Sequence, residues 1–262
     1  MNLSQLYGIP PFLFFVLVIA VFSGVSIGGF MITRKFVGKW LGPPPAQNEV
    51  ISYYIASTGV VYGITLGLIA VGLWEHYMDI TKTVEDEAST LSEVYRNVSS
   101  YREPYKTKLT GELKTYTQYV IDEAWPQMEK GIVPWEGINL MTVFQANLFE
   151  YEPQTEGQKI IHNNCVMSYN KYVHVRQQRL ELVNKGVPKM IWWIVFFGAM
   201  INLTLSWLFV VKNKSLHILM NGLLGALIGA LVFMIIVLDM PFRGWFRISS
   251  EPFEILYDQL MN

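Results

Sequence analysis

The sequence predicts an all-α integral membrane protein with four transmembrane helices. A helical extramembrane domain lies between the second and the third of these helices in the sequence. Of its 262 residues 52% are hydrophobic and only 16% are charged, against about 25% charged in an ordinary soluble domain. Between Glu75 and Lys189 lie 29 of the 41 charged residues. The flanking regions contain four stretches without any charge: Phe12–Thr33, Val50–Trp74, Met190–Val211 and Ser215–Leu238. Because about 20 apolar residues cross a bilayer, each stretch is long enough to span it.

The distribution of charge divides the chain into four segments. The expected segments are residues 1–74 with spans at 12–33 and 50–74, an extramembrane domain at 75–189, two spans within 190–238, and a C-terminal segment at 239–262. The first span is expected to stay in the mature protein, because Met1–Pro11 carries no basic residue and no Ala-x-Ala cleavage site follows the apolar run. The multi-pass chain is therefore expected in the plasma or inner membrane.

The second span is expected to leave the membrane as one long helix. Pro43, Pro44 and Pro45 turn the chain before it, and nothing breaks the helix between Val50 and Tyr101. Apolar residues recur beyond the span at the three-to-four spacing of an amphipathic helix. They are Ile80, Val84, Ala88, Leu91, Val94 or Tyr95, and Val98.

Further helices are expected in the extramembrane domain. Pro104 suits the first turn of a helix, whose apolar face comprises Leu109, Leu113, Tyr116 and Val120. A short helix is expected around Leu140–Leu148. A last helix within Thr155–Lys185 is expected to bury Ile160, Ile161, Met167, Val173 and Leu180.

Several functional classes are excluded by composition and motifs. A net charge of −1 provides no basic field for nucleic acid, and the single Cys165 forms neither a disulfide nor, with four scattered histidines, a zinc pattern. The sequence contains no His-Glu-x-x-His motif and no Gly-rich phosphate loop before Lys-Ser or Lys-Thr. We therefore expect no enzyme activity, no catalytic residue, no metal and no cofactor. The acidic run Glu85–Glu87 is expected to be a solvated helix face, with a cation site as the alternative.

Small residues form a stripe along the second span. Such a stripe lets helix backbones approach closely in lipid. The stripe comprises Ala56, Gly59, Gly63, Gly67 and Ala70, and the fourth span repeats the theme with Gly225 and Gly229. These glycines are expected to pack helices together.

Another face of the second span mixes hydroxyl and apolar side chains and leads to two carboxylates, Glu75 and Asp79. In a symmetric oligomer this face would suit a pore lining. The candidate pore-lining residues are Tyr54, Ser57, Val61, Thr65 and Leu68. The alternative is that the hydroxyls bond to carbonyls of their own helix and only pack.

Three polar side chains interrupt the last two spans. Asn202 and Asn221 are each expected to bridge helices, because a buried amide in lipid is costly unless it is bonded. His217 is expected at the membrane edge, with a proton relay as its alternative role.

Local strings resemble the bestrophin-like membrane family, once classed as a domain of unknown function, over nearly the whole chain. They are Leu73-Trp74-Glu75 followed by Glu85-Asp86-Glu87-Ala88, then Asp122–Met128, and Asp239–Gly244 continuing to Ser249–Phe253. Two positions depart from the family pattern. Ala124 stands where the family usually has an acidic residue before Trp-Pro, and Met240 replaces the arginine of Asp-Arg-Pro-Phe.

The resemblance implies a homopentameric anion channel whose pore is lined by the second span. It also implies that the middle domain and both termini are cytoplasmic, although the basic short connectors favour the opposite orientation. The expected partners are further copies of the chain, small inorganic ions such as chloride, and the lipid bilayer. A cation channel of the same architecture and a non-conducting sensor or adaptor remain alternatives.

Overall fold

A computed structural model describes residues 10–40 and 46–262, and every regular element among them is helical. The prolines at 43–45 lie outside the described residues. Two short π-helical turns at Val120–Ala124 and Tyr257–Met261 accompany nine α-helices. The α-helices are α1 (Pro11–Trp40), α2 (Ala46–Ser99), α3 (Tyr105–Tyr119), α4 (Trp125–Glu129), α5 (Gly137–Phe149), α6 (Glu156–Leu182), α7 (Lys189–Trp207), α8 (Lys214–Leu238) and α9 (Glu251–Leu256).

Four of these helices, α1, α2, α7 and α8, are long and apolar enough to cross a membrane. The observed α1 continues seven residues beyond the predicted end at Thr33, and α7 ends at Trp207 rather than Val211. The second helix is uninterrupted from Ala46 to Ser99, as its unbroken sequence pattern predicts.

Packing divides the described chain into two units. Unit 1 contains the described residues up to Glu75 together with Gly186–Asp239. Unit 2 contains His76–Lys185 and Met240–Asn262. The C-terminal segment, set apart in the sequence-based division, therefore packs with the middle domain from Met240 onwards.

In unit 1, α1 and α8 pack with their backbones close together. A Cβ added at Gly225 would lie 2.7 Å from the Phe22 carbonyl oxygen, and one at Gly229 would lie 3.1 Å from the Ile19 Cα. The α1 backbone thus leaves no space for a side chain at Gly225 and little space at Gly229. The lack of a side chain brings the two helices within the short distance that dispersion forces need.

A buried polar cluster joins three helices of unit 1. The Asn221 Oδ1 accepts hydrogen bonds from Ser206 (3.0 Å) and Ser26 (3.3 Å), so this amide bridges α8, α7 and α1 as predicted. His217 is also buried, with its ring centroid 4.1 Å from that of Phe30. His217 lies in the first turn of α8, and the expectation that its ring snorkels out to an interface there is wrong, because the ring packs on α1 and its Nε2 lies 3.2 Å from the Ser206 carbonyl oxygen.

Unit 2 is a bundle around one hydrophobic core. The predicted apolar residues of α2 and α3 are buried, including Ile80, Leu91 and Leu109. Helix α6 begins at a capping box in which the Thr155 hydroxyl accepts a bond from the Gln158 amide. The fold therefore follows the sequence pattern through α2 and α3.

The expected apolar face of α6 is confirmed at Leu180, which is buried, and is wrong at other positions. Ile160 and Met167 are exposed, whereas Cys165, Tyr169, Tyr172, Arg176 and Arg179 are buried. Amphipathic pattern reasoning places arginine and tyrosine on the solvent side. Here the α6 arginines and tyrosines face the core because partners for Arg179 and for the Tyr116–Tyr172 hydroxyl pair (2.6 Å) lie there.

Glu87 forms an ion pair in this core. The Arg179 Nε and Nη2 donate to its two carboxylate oxygens at 2.5 and 3.0 Å, and both side chains are at most 1% exposed. Burial alone would lower the pKa of Arg179, but the Glu87 carboxylate raises it above its ordinary value. Glu85 and Asp86 are exposed. The expectation of a solvated acidic run is therefore wrong for Glu87.

Candidate permeation helix

The part of α2 that belongs to unit 1 has few neighbours in its own chain. Only 6% of its apolar window is buried, against 39% in α8. It contacts α7 and the residues that follow α7 along one seam. Asn48 exchanges two hydrogen bonds with the Val210 backbone (2.8 and 2.9 Å), and the Tyr62 hydroxyl donates to the Val195 carbonyl (2.9 Å). The Asn202 Oδ1 lies 3.4 Å from the Thr58 hydroxyl, so this amide also bridges helices as predicted.

The five candidate pore-lining residues lie beside this seam. Ser57, Val61 and Thr65 line a groove of about 330 Å³ together with side chains of α7 such as Phe197 and Ile201. Tyr54 and Leu68 are exposed. The structure thus brings the hydroxyl face alongside α7 and leaves it open on the other side.

Two hydroxyls on this helix bond to carbonyls one turn earlier. The Thr65 Oγ1 donates to the Val61 carbonyl (2.8 Å), and the Thr58 Oγ1 donates to the Tyr54 carbonyl (2.9 Å) or to the Asn202 Oδ1 (3.4 Å). A hydroxyl whose proton is engaged in this way presents only acceptor lone pairs to an ion. In this rotamer neither threonine is a donor for an anion.

A further apolar face lies directly opposite the seam, and sequence reasoning missed it. Its residues are each more than half exposed: Tyr53, Val60, Ile64 and Val71. At about 100° per residue these side chains lie roughly 120–180° from buried Leu66 and Leu73. The sequence does not show which side of α2 contacts α7. The composition of an apolar helix face does not indicate whether that face meets protein or lipid.

The small-residue stripe on α2 has little to pack against in the single chain. A Cβ on Gly59 would meet only the Asn202 Oδ1 at 3.7 Å, and Gly63 and Gly67 have nothing within 4 Å. Glu75 and Asp79 are exposed further along the same helix. Each of these α2 positions is therefore available to other molecules.

The described residues hold no group of three or more His, Cys, Asp or Glu side chains that could bind a metal ion. The single Cys165 is buried, and burial raises the pKa of its thiol to about 11. A thiol in this state is a poor nucleophile.

A family model described as the bestrophin-like domain matches residues 19–253. The chain belongs to the bestrophin-like family. A crystal structure of a bacterial bestrophin homolog from Klebsiella pneumoniae carrying a point mutation superimposes with a TM-score of 0.59 at 12% sequence identity. The match covers 94% of this chain and 97% of that one, so the two share a fold. No curated protein sequence shows significant similarity to the chain.

Apart from Leu73-Trp74-Glu75, which lies in unit 1, the strings by which the chain resembles bestrophin-like proteins contribute residues to the core of unit 2. Trp125 packs with its ring centroid 5.7 Å from that of Phe253 and 6.1 Å from that of Phe242. The Arg179 guanidinium lies 5.1 Å from the Trp125 ring centroid, and its Nη1 lies 2.9 Å from the Met128 sulfur. These strings therefore surround the Arg179–Glu87 ion pair, and their first role in this bestrophin-like chain is to complete that core.

Proposed function

We propose that this bestrophin-like protein is a homo-oligomeric channel, a pentamer, that passes small anions such as chloride through a pore lined by α2. The observation that carries the proposal is the exposure of α2 on every side except its α7 seam. Unlike α8, the unit 1 part of α2 finds few partners within the chain. Further copies of α2 around a common axis would supply them, and family membership supports the same arrangement.

Within such an assembly, the face opposite the α7 seam points towards the axis. The outer helices of each subunit lie on the seam side, so the opposite side is left for the conduit. Ile64 is 60% exposed and lies between Val60 and Val71 on this face, with Ser57 at its edge. The five residues chosen from sequence remain candidates, with Val61 and Leu68 beside this apolar constriction. An apolar ring of this kind gates by dewetting.

Chloride efflux from liposomes tests the proposal. Replacing Ile64 with alanine widens the constriction and is expected to raise the efflux severalfold, and Val61→Ala and Leu68→Ala are expected to have smaller effects. Ile32→Ala is the matched control, because Ile32 is an equally exposed apolar residue on α1. If the protein carries no ion at any voltage and none of the α2 variants changes this, the channel proposal fails.

A cation channel of the same architecture is the second candidate, and exposed Glu75 and Asp79 favour it. A ring of carboxylates at a pore mouth attracts cations and repels anions. The reversal potential in asymmetric KCl distinguishes the two ions. For an anion channel it follows the chloride gradient and Glu75→Gln increases the current. For a cation channel it follows the potassium gradient and Glu75→Gln decreases the current.

The mass of the purified particle separates a channel from a membrane sensor or adaptor. A monomer or dimer cannot enclose a pore with one helix per subunit, so a pentamer supports conduction and a smaller particle contradicts it. We propose a plasma or inner membrane location with unit 2 and both termini cytoplasmic. Labelling of a cysteine introduced at exposed Met167 in intact cells tests this orientation.

A further inference from the structure

Unit 2 buries more positive than negative charge. The buried charged side chains among the described residues are Glu87, Arg179 and Arg176. Glu87 and Arg179 neutralise each other. Arg176 is only 8% exposed, forms no ion pair with any residue that the structure describes, and has a buried Nε without a hydrogen-bond partner. One buried positive charge is therefore uncompensated.

The surroundings of Arg176 hold its guanidinium without neutralising it. The guanidinium lies 5.8 Å from the Tyr116 ring centroid, a contact that contributes about 0.5–2 kcal/mol. The desolvation of a buried ion costs several kcal/mol. Burial raises the pKa of Tyr116 and Tyr172, so both phenols are neutral. A Cβ on Gly137 would lie 3.1 Å from the Arg176 Nη2, so this glycine leaves room for the guanidinium.

Arg176 forms part of the wall of a pocket of about 480 Å³, which we call the Arg176 pocket. Glu181, Gln177 and Asn184 complete a polar side of this pocket. The remainder of its wall is apolar: Val133, Trp135, Ile138, Val173 and Leu180. The volume lies in the range of small-molecule sites, which combine an apolar lining with a few placed polar groups.

The chemistry of the wall selects one class of ligand. A single cation beside apolar side chains complements a carboxylate joined to an aliphatic chain, because the carboxylate neutralises Arg176 and the chain covers Trp135 and Ile138. Trp135 is 63% exposed in the single chain. Glu181 in the same wall disfavours an anion of higher charge such as phosphate. We propose that the Arg176 pocket binds a monoanionic amphiphile of the fatty-acid type, with Arg176 as its counter-ion.

Radiolabelled decanoate tests this proposal with the full chain in nanodiscs and with binding to empty nanodiscs subtracted. The expected result is saturable binding of one decanoate per chain. Arg176→Gln removes the counter-ion and is expected to weaken binding at least tenfold. Arg96→Gln is the matched control, because Arg96 is an exposed arginine of unit 2 that does not line the pocket, and it is expected to leave the affinity unchanged.

A second variant keeps the test valid if Arg176→Gln does not fold. Val173→Trp fills the pocket from its partly exposed wall, retains Arg176, and is also expected to weaken binding at least tenfold. Decanol and inorganic phosphate are the competitors, and neither is expected to displace decanoate.

Three results would overturn the proposal. The first is the absence of a saturable component. The second is equal affinity in the wild type, Arg176→Gln and Val173→Trp. The third is loss of oligomer mass in Arg176→Gln without any decanoate binding to the wild type, which would assign the pocket to a carboxylate of a second copy. Displacement by phosphate at equal concentration would instead indicate a site for free anions.

Discussion

The two units complete their packing to very different degrees. In unit 2, the apolar face of α2 is buried in the core of the same chain, since residues such as Val84, Leu91 and Val98 are wholly buried. In unit 1, the same helix is buried only along its α7 seam, whereas α8 is fitted closely to α1. One continuous helix is thus a core element at one end and an exposed surface at the other. The difference indicates that α2 finds its packing partners within the chain in unit 2, whereas its unit 1 part requires other molecules.

The largest expected effect comes from breaking the ion pair of unit 2. Glu87→Gln leaves Arg179 charged and buried without its carboxylate, a change that costs about 3–5 kcal/mol. The measurement is the free energy of unfolding of unit 2 in the purified full chain, followed by tryptophan fluorescence in denaturant. The double variant Glu87→Leu with Arg179→Met is the control, because it leaves no unpaired charge. A double variant that loses as much stability as Glu87→Gln would contradict this explanation.

The two glycine stripes provide the next comparison. Gly225→Val forces a side chain into the α1 backbone, and overpacking of this kind costs about 1–3 kcal/mol. Gly63→Val places the same side chain in open space. The free energy of unfolding of the monomer is therefore expected to change by less than about 0.5 kcal/mol.

Size-exclusion chromatography with light scattering completes this test. Gly63→Val is expected to reduce the oligomer fraction without lowering the melting temperature of the monomer, because the open face of α2 is where further copies would pack. Equal melting temperatures and equal oligomer fractions for wild type, Gly225→Val and Gly63→Val would remove the distinction between the two stripes.

The smallest expected effect is a difference in the rate at which Cys165 is chemically labelled. At pH 8 the Cys165 thiol is protonated and buried, since its pKa is raised to about 11, so iodoacetamide is expected to react very slowly with the native chain. Gly225→Val acts in unit 1 and is expected to leave this protection intact, whereas Glu87→Gln is expected to increase the labelling rate. Mass spectrometry gives the labelled fraction, and equally fast labelling of the native and denatured wild type would show that the core of unit 2 is open.

The sequence was sufficient for those features that depend on local periodicity and composition. Charge-free stretches of bilayer length predicted the four apolar helices, and the spacing from Ile80 to Val98 predicted the buried face of α2 because a helix places such residues on one side. The same reasoning failed for α6. Arg179 and Tyr172 are polar by type, and only a partner distant in sequence, such as Glu87, makes their burial favourable.

The candidate functional faces of α2 also could not be assigned from the sequence alone. Its sequence displays a hydroxyl face, a small-residue stripe and an apolar face, and all three are compatible with packing, lipid or a conduit. Tertiary structure identified the side that meets α7, which placed Ile64 opposite and Thr65 beside the seam. The tertiary structure also revealed that the buried charge of Arg176 has no ion-pair partner among the described residues. Composition and period are properties of a segment, so the sequence determined the helices, but the choice of which faces meet is a property of pairs of segments and was decided only by the folded chain.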